Sequence, residues 1–124
     1  MSEFRTFEEL ECWKAGRELR VWASVKAKTF PKEERFVLCS QLNRAARSIT
    51  ANIAEGYGRF HYQENIQFCR QSRGSAYEVL DHLITACDEG YIREEILAEG
   101  RDLIETAVKL INGYVRYLEK QKSK

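Results

Sequence analysis

The chain has 124 residues and a formal net charge of +1, with 44% apolar residues, 31% charged residues and one proline. That composition suits a helical domain able to bury its own core without metal or disulfide support, rather than a disordered or all-β chain. No apolar run approaches the roughly 20 residues that span a bilayer, and the acidic opening MSEFRTFEEL lacks a basic-then-apolar leader pattern, so a cytoplasmic protein with no membrane partner is expected.

In chain order, Thr6 followed by Glu9 fits a capping box, which predicts a first helix over about 8–28. Its apolar residues split between two sides. Leu10, Val21 and Val25 share one, while Cys12, Ala15, Leu19, Trp22 and Ala23 share another. An isolated surface helix needs only one apolar face, so the second is expected to meet another element or another copy of the chain. Trp13, Trp22 and Leu19 are the candidate contacts for that copy.

Pro31 breaks the chain, and Lys32, Glu33 and Glu34 prepare a new helix start. The second helix is predicted over about 37–55, where Leu38, Leu42, Ala45, Ile49 and Ile53 recur at three- and four-residue steps. Small residues flank this stripe, so a neighbouring backbone can come close. Gly56-Tyr57-Gly58 is expected to stop the helix through a left-handed glycine.

The third helix, about 62–88, carries Ile66, Cys69, Ala76, Leu80, Leu83 and Cys87 as its stripe. Gly74-Ser75-Ala76 forms a small window expected to face the second helix, because a mid-helix glycine costs roughly 1 kcal/mol relative to alanine. The fourth helix, about 93–119, has a broad apolar band through Ile96, Leu103, Leu110 and Tyr117, and the basic tail after it is expected to fray. Asn112-Gly113 is a hairpin signal in strands but lies inside helical periodicity here. Four long helices with short loops over residues 1–124 predict one all-α domain, an antiparallel up-down-up-down four-helix bundle.

Charge is unevenly placed. Residues 12–73 hold twelve Lys/Arg against five Asp/Glu, and residues 74–119 hold four against ten. Two surfaces follow as candidates. Arg44, Arg47, Arg59, Arg70 and Arg73, with Tyr57, Phe60, His61 and Tyr62 nearby, are compatible with RNA or single-stranded DNA, since arginines contact phosphates and aromatics stack on unpaired bases. Ser48, Asn52 and Glu55, reaching across to Ser75 and Glu78, form a structural polar network that sets helix register.

Catalytic chemistry has little to stand on. Glu78 precedes His82 by four residues rather than the three of a di-iron Glu-x-x-His pair, and no second pair exists. Cys12, Cys39, Cys69 and Cys87 form no CxxC or CxxH spacing, so neither metal nor cofactor is expected. There is no phosphate-binding glycine loop. The expectation is a non-enzymatic protein.

FPKEERFVLCSQLNRAARSITANIAEGYGR, followed by FCRQSRGSAYEVLDHL, resembles the four-helix-bundle proteins encoded in intervening sequences of bacterial 23S ribosomal RNA genes. It is similar also to their relatives, the accessory variability determinants of diversity-generating retroelements. The likeness covers about residues 7–118. It implies a left-turning antiparallel bundle that assembles as a homopentamer, and in the retroelement relatives a strongly basic ring that binds nucleic acid and a reverse transcriptase. The near-neutral charge here departs from those relatives, as do Cys39 and Phe60-His61. The resulting expectation is an oligomeric bundle with a nucleic-acid ligand on a basic surface, or alternatively a protein-interaction or scaffold module with a protein partner.

Overall fold

A computed structural model describes residues 6–124; the first five, on which part of the leader reading rests, lie outside it. The described residues form four α-helices and no strand: α1 Glu11–Ala27, α2 Leu38–Tyr57, α3 Tyr62–Asp88 and α4 Glu94–Lys122. Single 3-10 turns at Phe7–Glu9 and Lys32–Glu34 precede the first two. No described helix is long and apolar enough to cross a membrane.

The boundaries show which local rules prevailed. Thr6 caps as expected, but its hydroxyl accepts from the Glu8 amide and opens only the 3-10 turn; Leu10, in extended conformation, then starts α1 with no side-chain cap. Gly56 lies inside α2, and Gly58 closes it in a right-handed conformation at φ −77°, so the expected left-handed stop is not what ends this helix. The left-handed glycine is Gly90, at φ 81° after α3. There the Tyr91 amide donates to Ala86 O at 2.8 Å and the Gly90 amide to Cys87 O at 3.0 Å, the paired bonds of a Schellman closure. The tail does not fray at residue 119: α4 runs to Lys122, whose ammonium bonds Gln63 Oε1 at 2.7 Å and lies 3.6 Å from Glu119. Cations at a helix C-terminus also suit its dipole.

The core is built from one stripe per helix. Leu19 and Ala23 of α1, Leu42, Ile49 and Ile53 of α2, Ile66, Val79 and Leu83 of α3, and Ile104, Ile111 and Leu118 of α4 are almost wholly removed from water. Leu19 is 0% exposed inside this core, so it cannot meet another copy of the chain as the sequence suggested. The α3 stripe differs from the expected one in choosing Val79 over Leu80 and Ala86 over Cys87, and it admits Asn65 and Ser72 at the same three-four rhythm.

Close approach is concentrated where α2 meets α3. A Cβ on Gly56 would lie 2.7 Å from Asn65 Oδ1 and 2.8 Å from Phe68 Cβ, so only glycine admits this spacing. Further along, Ser72 donates to Ile49 O at 2.7 Å and Ser48 meets Ser75 at 2.8 Å. Gly74 is a correction: a Cβ there would meet nothing within 4 Å, and the window meets α2 through Ser75, while Ala76 is buried in the core. Between α1 and α4, Trp22 fills the space over Gly100, where a Cβ would lie 2.9 Å from the indole.

Candidate nucleic-acid interface

The five arginines grouped by sequence are not one surface. Arg44 crosses from α2 to Glu78 of α3 at 2.7 Å. Arg59 is held by Glu55 at 2.8 Å and Glu64 at 3.9 Å, with its guanidinium 4.9 Å from the Phe68 ring. Arg70 lies 3.9 Å from Glu119, and Arg73 donates to Asn112 Oδ1 at 2.6 Å. Of the five, Arg44 and Arg70 pair with carboxylates of the acidic second half, whereas the partners of Arg59 belong to the basic half itself. Arg47 alone of the five faces the seam between α1 and α2.

That seam gathers cations the sequence did not single out. Two hollows follow it. One, of about 440 Å³, is lined by Phe7, Trp13, Arg20, Arg47, Thr50, Ala51 and Ala54. The other, of about 300 Å³, includes Lys28, Phe30, Lys32, Arg35 and Asn43. Together they present Arg20, Lys28, Lys32, Arg35 and Arg47, and no carboxylate lines either hollow. The cations in ion pairs with carboxylates among the described residues are others: Lys14, Arg44, Arg59, Arg70 and Lys122.

Local structure keeps the seam free of acid. Arg20 is aimed by its bond to Thr50 Oγ1 at 2.9 Å, and Arg35 lies 5.1 Å over the Phe36 ring. Glu34 sits on the same connection and does not line the hollow; it accepts from the Tyr91 hydroxyl at 2.7 Å and from the Leu38 amide at 3.3 Å. That bond to Glu34 pushes the Tyr91 phenol up to about 12.

Trp13 and Trp22 are both engaged within the chain. Trp13 packs edge-on against Phe7 at 5.3 Å beneath the Arg17 guanidinium, and Trp22 donates from Nε1 to Glu99 at 3.0 Å. The second apolar face of α1 is instead Val21 and Val25, 52% and 51% exposed.

Of the polar set on α2 and α3, only Ser48 and Ser75 meet across the two helices; neither Asn52 nor Glu55 makes the expected crossing. Asn52 stays on its own helix, donating to Ser48 O and Ser48 Oγ, and Ser48 makes the crossing to Ser75. Glu55 does not cross; Arg59, one turn on, holds it. Glu78 lies 3.1 Å from His82 Nε2, and this hydrogen bond, with Arg44 beside it, holds the Glu78 carboxyl below the usual carboxylate range. Such a carboxylate is a poor proton acceptor and serves as a tie between helices. Burial pushes Cys12 up to about 12 and Cys69 up to about 11, which keeps both thiols protonated and inert. No cluster of three metal-ligating side chains occurs among the described residues.

At the far end of the seam, the α2–α3 turn and the last turns of α4 enclose a third hollow of about 450 Å³, lined by Tyr57, Phe60, His61, Tyr62, Tyr114 and Tyr117 together with Arg59 and Asn65. Asn65 and Ser72, both unremarked in sequence, are buried and satisfied: Asn65 Nδ2 donates to the Tyr114 hydroxyl at 3.1 Å. Their signal was present in the three-four spacing of Asn65, Cys69, Ser72 and Ala76, which places polar groups on the core line.

Comparison with known proteins agrees with this architecture. The structure is similar to the crystal structure of a protein with unknown function from the S23 ribosomal protein family of Bacteroides thetaiotaomicron VPI-5482, with a TM-score of 0.77 and 22% identity over 84% of this chain and 97% of that one. At that identity the likeness shows the fold alone. No curated protein matches the chain. The family model described as 23S rRNA-intervening sequence protein matches residues 8–113, and the chain belongs to that family.

Proposed function

We propose that this protein is a non-enzymatic binding protein whose ligand is a nucleic-acid backbone held along the α1–α2 seam. The observation that carries this reading is the run of five cations, Arg20, Lys28, Lys32, Arg35 and Arg47, in hollows lined by no carboxylate, on a chain whose net charge is only +1. A locally unbalanced field of one sign recruits a polyanion even when the whole molecule is nearly neutral. Phe7 and Trp13 lie beside Arg20 and Arg47, an aromatic and cationic mix of the kind found on surfaces that track a flexible strand. The antiparallel up-down-up-down order belongs to this proposal, supported by pairs such as Arg20–Thr50, Ser48–Ser75 and Gln63–Lys122. The four free thiols suit a reducing cytoplasm.

The test is retention of RNA and single-stranded DNA across a salt series. Binding is expected at low salt, and Arg47→Ala or Lys28→Ala should each reduce the salt slope by roughly 0.7, the value for one single-strand phosphate contact. Arg70→Ala, in a residue occupied by Glu119, should leave the slope unchanged. Absence of retention at low salt would overturn the proposal.

A second reading, self-association, rests on Val21 and Val25, which expose an apolar face on the outer side of α1. The pentamer implied by the family resemblance would use such a face. A mass near 14.5 kDa by light scattering at micromolar concentration would contradict it.

A further inference from the structure

Four large exposed side chains, Tyr57, Phe60, Tyr62 and Tyr117, gather at one end of the bundle, and Phe60 is 90% exposed. They surround the hollow of about 450 Å³ at the α2–α3 turn, within the size range of small-molecule sites. Tyr114 and Tyr117 stack with ring planes 10° apart, giving a flat aromatic wall. The Tyr114 hydroxyl and the buried Asn65 carboxamide, bonded to each other at 3.1 Å, place fixed polar groups at its inner end. No carboxylate lines the hollow, and Arg59, which does, is already held by Glu55 and Glu64, so the lining suits a neutral planar ring better than a charged one.

The hollow lies beside the end of the cationic seam, with the Phe7–Tyr57 ring contact between them. Phe7 lines the seam beside Trp13 and Arg47, and its ring lies 6.5 Å from that of Tyr57, which lines the hollow.

We infer that this aromatic hollow takes an unpaired nucleobase, so that the polyanion on the seam is a single strand with one base turned into the end of the bundle. The inference rests on the seam reading and adds the ligand class. Bases in a duplex are already stacked on one another, and their faces are closed to such a pocket. A phosphate track followed by an aromatic wall therefore selects single strands without reading sequence.

The experiment is fluorescence anisotropy with labelled RNA of about 12 nucleotides, a length typical of single-strand sites, and with the same strand paired to its complement. Parent, Phe60→Ala/Tyr117→Ala and Tyr77→Ala proteins are compared, with circular dichroism to confirm folding. All three positions are exposed, so the substitutions spare the core. The expected result is tighter binding of the single strand than of the duplex, an affinity loss of about 10-fold in the double variant for the single strand only, an unchanged salt slope, and no change for Tyr77→Ala. Equal affinity for duplex and single strand, or an unchanged single-strand affinity in the double variant, would overturn the base pocket while leaving the seam standing. If neither nucleic acid binds the parent, the seam reading fails first and the pocket fails with it.

Discussion

Gly56→Ala and Gly74→Ala are chemically identical changes for which the packing predicts opposite signs. At Gly56 the new methyl would sit 2.7 Å from Asn65 Oδ1, 2.8 Å from Phe68 Cβ and 3.1 Å from Asn65 O. Two of these atoms are backbone or fixed to it, and Asn65 is further tied to Tyr114, so relief requires the helices to part. Overpacking of this kind costs about 1–3 kcal/mol. The helix-propensity gain from alanine, at most about 1 kcal/mol, offsets only part of it so near a helix end. The net expectation is a loss of about 1–2 kcal/mol, or roughly 3–8 °C in Tm for a domain of this length. At Gly74 the methyl meets nothing, so the propensity gain stands alone and stability should rise by up to about 1 kcal/mol. Urea unfolding followed by circular dichroism measures both. A Gly56→Ala protein as stable as its parent would refute the close approach of α2 and α3.

Three further outcomes follow from the same geometry. A double-mutant cycle on Ser48→Ala and Ser75→Ala should return a coupling of about 0.5–1.5 kcal/mol, because their 2.8 Å contact joins two helices in a part-buried position. Glu78→Gln should cost stability at neutral pH, and the difference from the parent should shrink as pH falls: a depressed folded pKa stabilises above the unfolded value and loses that contribution as the carboxylate is protonated. Its partial exposure keeps the effect within the range of a surface pair, about 0–1 kcal/mol. A thiol reagent near pH ~8 should label Cys39 and Cys87 and spare the buried Cys12 and Cys69 until the protein is denatured.

Helix number, type and order were readable because each helix carries a long apolar stripe at three-four spacing, and the bounds of α3 match those expected. The errors lie where one residue has two physical uses. Thr6 can cap, but it caps a 3-10 turn while Leu10 opens α1. Gly56 can end a helix, but its use here is to admit Asn65 and Phe68. Leu19 and Val21 were both visible as apolar, yet which face of α1 met the bundle depended on the other three helices. The same limit applied to the site. Charge counted along the chain revealed a basic first half, but acidic residues of α3 and α4 occupy Arg44 and Arg70, so what remains unneutralised is decided by packing. Arg20, Lys28, Lys32 and Arg35 form a track only once α1 and α2 lie side by side.

The most direct examination of the cationic seam is a nitrogen-15 amide shift titration with a short single-stranded RNA. Shifts concentrated in residues of α1, the Pro31 connection and the outer side of α2, with Arg20, Lys28 and Arg47 among the largest and extending to the α2–α3 turn at Phe60 and Tyr62, are the predicted result. Shifts confined to the outer surface of α3 and α4, or spread evenly over all four helices, would contradict the assignment of the ligand to the α1–α2 seam.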